Sequence, residues 1–98
     1  MKYLITESKL EKVVMKYLNG LDLKILDKIT NIYFVREGHD DYAYIVYDIY
    51  NRKCIIYYDL IGEITNLFSL DSNYSEELIG KWVEDTLDKE VKSTGWMF

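Results

Sequence analysis

The chain has 98 residues, 49% of them apolar and 30% charged, with a formal net charge of −5. That describes one folded domain over 1–98 rather than a disordered tail, and its sign argues against a general phosphate-backbone binder. A single cysteine, Cys54, excludes an internal disulfide and a multi-cysteine zinc site.

Residues 6–19 predict an amphipathic helix. Leu10, Val13, Val14, Tyr17 and Leu18 recur at helical spacing. Ser8 with Glu11 fits a capping box, Thr6 is a rival cap, and Gly20 is a natural stop. Lys9, Lys12 and Lys16 share the outer face, which reads as solvated. Before this helix, Tyr3, Leu4 and Ile5 are too few to form a signal-peptide core. Residues 21–29 fit two periods: Leu21, Leu23 and Ile25 alternate, whereas Leu23, Leu26 and Ile29 step by three. The segment is expected to be a connection with a short turn of helix or strand.

Three strands follow, at 32–36, 42–49 and 53–58, all rich in Ile, Val and Tyr. The turn cluster at 37–41 and the tripeptide at 50–52 are short enough to make them an antiparallel meander. A helix over 59–69 has Leu60, Ile61, Ile64, Leu67 and Phe68 on one face, with Asp59 as N-cap. Another over 75–88 starts at Ser75 with Glu76 and Glu77 in its first turn. It turns Leu78, Ile79, Trp82, Val83, Thr86 and Leu87 inward. The tail ends Gly95-Trp96-Met97, then Phe98, and such bulk at a terminus is expected to dock as a final strand or segment, with a partner-binding peptide as the second expectation. The expected architecture is α+β, a three-stranded meander in the order α-β-β-β-α-α with an extra terminal strand as an option.

Side chains alternate across a strand. Ala43, Ile45, Tyr47 and Ile49 oppose Tyr42, Tyr44, Val46 and Asp48. Cys54, Ile56 and Tyr58 oppose Ile55 and Tyr57, and Ile32 and Phe34 oppose Tyr33 and Val35. Neither face carries the polar residues of a wetted sheet. Burial of one aliphatic side chain contributes about 1.5–3 kcal/mol, so both faces are expected to be covered. Three helices on two sides are the first expectation for that cover, and another protein chain is the second.

Reactive groups are sparse. The segment 37–41 holds the only histidine, His39, beside Glu37, Asp40 and Asp41. It lacks the spacing of a zinc or calcium site and reads as a turn. Cys54 sits in an apolar strand and reads as a small core hydrophobe. Asn73-Tyr74-Ser75 matches a glycosylation sequon but reads as a helix start. The glycines fit no phosphate-binding loop. No catalytic residue, cofactor, metal or membrane span is expected; the apolar run at 42–47 is far too short to cross a bilayer.

Charge is uneven. Residues 1–28 carry six lysines against Glu7, Glu11, Asp22 and Asp27, for +2. Residues 29–58 carry Arg36, Arg52 and Lys53 against four acids, for −1. Residues 59–98 carry Lys81, Lys89 and Lys92 against nine acids, for −6. The expected partner is a protein, meeting either sheet tyrosines Tyr33, Tyr42, Tyr44 and Tyr57 or the acids Glu84, Asp85 and Asp88. A homodimer or virion component is the second expectation. A single-stranded nucleic acid stacked on those tyrosines is the third, with only Arg36, Arg52 and Lys53 as a basic rim.

The opening residues 1–10, running into a helix that ends Tyr17-Leu18, resemble the start of short uncharacterised reading frames of tailed bacteriophages. The segments 47–48, 68–70 and 78–83 have the same flavour. The resemblance implies a viral accessory protein in a bacterial cytoplasm and carries no activity.

Overall fold

The computed structural model describes residues 7–36 and 39–97, with the backbone alone for Glu7, Ser8 and residues 39–42. Helix α1 (Glu7–Gly20) leads into strands β1 (Lys24–Asp27), β2 (Asn31–Arg36), β3 (His39–Asp48) and β4 (Lys53–Tyr57). Helices α2 (Tyr58–Phe68) and α3 (Ser72–Leu87) follow, then strand β5 (Ser93–Met97). The class is α+β as expected, but the sheet has five strands where a three-stranded meander was expected. The ambiguous segment supplies one: Lys24–Asp27 pairs antiparallel with β2, so a strand forms there, although only Ile25 of the alternating residues lies in it. The tail supplies the other. It docks as β5, parallel to β4, and α2 with α3 form the crossover that a parallel pair requires.

The register sorts side chains by face. On one side Ile25, Phe34, Ile45, Ile56 and Trp96 form a row, flanked by Ile32, Tyr47, Cys54 and Thr94. All three helices pack here. Val14 and Leu18 of α1, Leu60, Ile61 and Ile64 of α2, and Leu78, Ile79, Trp82 and Val83 of α3 share one core cluster with Phe34, Ile45 and Ile56. Phe34 meets Trp82 with ring centroids 5.3 Å apart, and Trp82 Nε1 donates to Asn19 Oδ1 at 2.8 Å, tying α3 to the end of α1. The expected helical cover on two sides is therefore corrected: the helices stand on one.

Several local expectations also shift. The cap of α3 is Asp71, whose carboxylate accepts from Tyr74 N–H at 2.8 Å. Ser75 lies inside the helix instead, fully buried, with its hydroxyl on Asp71 O at 2.9 Å and 3.1 Å from Thr65 Oγ1. An earlier start lets the carboxylate take the outer cap and the small hydroxyl take the α2–α3 contact. Tyr57, not Asp59, is the N-cap of α2, and Asp59 sits in its first turn near the positive end of the helix dipole. Val13 is 48% exposed, and Leu67 and Thr86 are exposed too, because each helix buries a narrower stripe than its periodicity allowed.

Candidate functional site

The opposite face of the sheet is apolar as well. Leu26 pairs with Tyr33, Tyr33 with Val46, Val46 with Ile55, and Ile55 with Gly95. These positions form one row across all five strands, on the side away from the helices. Leu26, Tyr33, Val46 and Ile55 are each half-buried, and no described helix belongs to this side. Asn31, Asp48, Lys53 and Ser93 make a polar row beside it. Four apolar side chains in register, with a polar margin, form a continuous strip suited to another protein surface.

The four sheet tyrosines named from the sequence do not form one platform. Tyr33 lies in the row. Tyr44 is only 5% exposed and joins the core, because the register slips between Phe34 and Val35: Phe34 faces Ile45, but Val35 faces Ala43. The extra residue of that bulge is Tyr44 itself, which has no partner on β2 in this register. Its ring runs parallel to Tyr57, with centroids 6.4 Å apart. The side chain of Tyr42 lies outside the described residues; of the expected turn cluster at 37–41, residues 37 and 38 lie outside them too, while His39, Asp40 and Asp41 are backbone of β3 where a turn was expected. With Tyr44 buried, its ring face is closed to a stacked base.

The basic rim is largely committed as well. Arg36 Nη1 donates to Tyr44 Oη at 2.9 Å and lies 3.9 Å from Glu63 Oε1. The bond to Tyr44, more than any other contact, raises the guanidinium above its ordinary value. Glu63 Oε2 is buried with no hydrogen-bond partner among the described residues. Burial first, and the charge of Glu63 second, push the nearby Tyr17 phenol up. Arg52 pairs with Glu90 at 3.6 Å. These contacts fasten the β2–β3 hairpin to α2 and the β3–β4 turn to the tail.

The acidic candidates on α3 separate in the same way. Glu84 Oε2 accepts from Val91 N–H at 2.9 Å, so it anchors the connection to β5. Tyr47 Oη donates to Glu90 O at 2.7 Å and Lys92 N–H to Arg52 O at 2.7 Å in the same connection. Asp88 is the left-handed C-cap of α3, and Asp85 is exposed. They share a helix end but not a task.

Cys54 is buried, and desolvation, helped by Glu76, pushes its thiol up to about 12. Such a thiol stays protonated and is a poor nucleophile. Among the described residues no group of three or more His, Cys, Asp or Glu side chains is placed to hold a metal ion, and no helix is long and apolar enough to cross a membrane. Two clefts flank β5 on its helix side. One of about 310 Å³ is lined by Gly80, Lys81, Glu84 and Thr94, and one of about 150 Å³ by Tyr58, Ile61, Glu76 and Trp96. Sequence reasoning missed Leu26 and the role of Lys53. Leu26 belonged to the step of three, which pointed to a helix face rather than a sheet face; the place of Lys53 depends on a strand pairing that no local pattern shows.

No family model, no curated protein and no solved structure matches this chain.

Proposed function

We propose that this protein is a non-catalytic protein-interaction module whose partner meets the sheet face away from the helices. The observation that supports it is the in-register row Leu26–Tyr33–Val46–Ile55, half-buried on a side to which no described helix belongs. A contiguous apolar surface with a polar margin is the usual form of a docking site. The tail is secured by Glu84, Tyr47 and Arg52, which favours the face over the terminus as the binding element. If the phage resemblance of residues 1–18 reflects origin, the partner is a host or viral protein of the bacterial cytoplasm.

The test is comparative retention. Immobilised wild type, the face variant Tyr33→Lys with Ile55→Lys, and the helix variant Asp85→Asn are challenged with the same cell extract. Retention of a defined protein by wild type and Asp85→Asn, lost with the face variant, is the expected result. Equal retention by all three rejects the face. A second copy of the chain is the alternative occupant; a concentration-dependent dimer in sedimentation, abolished by the face variant, identifies it.

A further inference from the structure

Strand β5 ends the sheet, and its sequence does nothing to close that edge. Edge strands are ordinarily blunted by charge, proline or a bulge. At the opposite edge β1 carries Lys24 and Asp27. Ser93–Met97 carries no charge and no proline, and it pairs with β4 in unbroken register. Among the described residues no strand lies beyond it, so alternate backbone N–H and C=O groups face outward at strand spacing.

Both sides of this edge have shape. On the helix side, the smaller cleft holds Trp96, 52% exposed, against Tyr58, 54% exposed, with ring centroids 6.0 Å apart and Ile61 at the base. On the other side lies Gly95, in register with Ile55. Lys53 reaches across it: a Cβ on Gly95 would sit 3.2 Å from Lys53 Cε and 3.6 Å from its Nζ. The ammonium thus lies over the middle of the edge strand.

Charge selects the occupant. A second copy paired antiparallel about Gly95 would bring two Lys53 ammonium groups together over adjacent glycines, which is repulsive. A strand with a carboxylate at that point meets a complementary charge, and its neighbouring residue, on the other face, enters the Tyr58–Trp96 cleft. We propose that the outer edge of β5 takes an extended peptide segment of a partner protein as a sixth strand, with an acidic side chain beside Lys53 and an apolar one against the exposed surface of Tyr58 and Trp96. Main-chain hydrogen bonds supply affinity and the alternating side chains supply selection. This goes beyond the face reading and does not depend on it.

The probe is the capped heptapeptide Thr-Thr-Leu-Asp-Leu-Thr-Thr, which presents the same pattern in either direction, titrated into the full chain and followed by amide NMR shifts. Saturable shifts across Ser93–Met97 are expected. Replacing the central Asp by Lys weakens binding at least about tenfold, and Lys53→Glu reverses that preference. N-methylation of one alternate set of peptide amides abolishes binding while the other set is tolerated. The face variant Tyr33→Lys leaves all of this unchanged. Absence of saturable shifts at 93–97, indifference to the charge exchange, or shifts confined to Leu26, Tyr33, Val46 and Ile55 overturns the edge proposal. The last result leaves the face reading standing.

Discussion

The β3–β4 turn rests on one carboxylate. Asp48 accepts from Asn51 Nδ2 at 2.8 Å, Tyr50 N–H at 3.1 Å and Asn51 N–H at 3.2 Å. The Asn51 side-chain bond, followed by the Asn51 backbone bond, holds its pKa below the ordinary 3.8. A depressed folded pKa means that the ionised form stabilises the fold: the contribution is complete above 3.8 and is lost as pH falls through the lower folded value. The stability gap between wild type and Asp48→Ala is therefore expected to shrink on acidification below that value, read by urea unfolding at stepped pH. A gap that stays constant assigns the effect to packing instead. Asp88 offers a second residue-scale check. It caps α3 at φ 53, a left-handed conformation that suits glycine better than aspartate. Asp88→Gly is expected to stabilise the protein by about 0.5–1 kcal/mol in thermal unfolding, since relief of the backbone outweighs the lost side chain.

Helix α3 and strand β5 approach closely because Gly80 has no side chain. A Cβ there would lie 2.8 Å from Thr94 Cγ2 and 3.7 Å from Val91 Cγ1. Alanine gains about 1 kcal/mol of helix propensity over glycine, while overpacking costs about 1–3 kcal/mol. Gly80→Ala is expected to destabilise wild type and to stabilise the Thr94→Ser background, where the obstructing methyl is gone. The double-mutant cycle measures this directly, and identical effects in both backgrounds would contradict the contact. Element by element, legibility followed the strength of local periodicity. The three helices and the strands at 32–36, 42–49 and 53–58 could be read because burial repeats every 3.6 or two residues along one segment. Residues 24–27 could not be fixed, because four residues fit two periods and only pairing with β2 decides between them. The bulge at Tyr44 was invisible for a similar reason: one inserted residue breaks alternation without changing composition. Of the candidate residues, the sheet-face position of Tyr33 was legible from alternation, whereas the burial of Tyr44, the bond of Glu84 to Val91 and the C-cap position of Asp88 were not. Their roles come from contacts with Arg36, Val91 and a helix terminus that lie distant or unsignalled in the local pattern.

At the scale of the molecule, asymmetry is the main feature. Strands that carry apolar residues on both faces have all three helices on one of them. Buried aliphatic side chains contribute about 1.5–3 kcal/mol each, so Leu26, Tyr33, Val46 and Ile55 still hold unrealised stabilisation that a second surface can recover. At the C-terminal end of α3 the Glu84 carboxylate accepts from the Val91 amide, while Asp85 and Asp88 are exposed. The most direct measurement places a photo-crosslinking phenylalanine derivative at position 46 in one strain and at the exposed position 86 of α3 in another, in living cells. A discrete adduct from position 46, lost when Tyr33→Lys is added and absent from position 86, is the result expected of a protein-binding sheet face. No adduct from 46, or equal adducts from both positions, contradicts it.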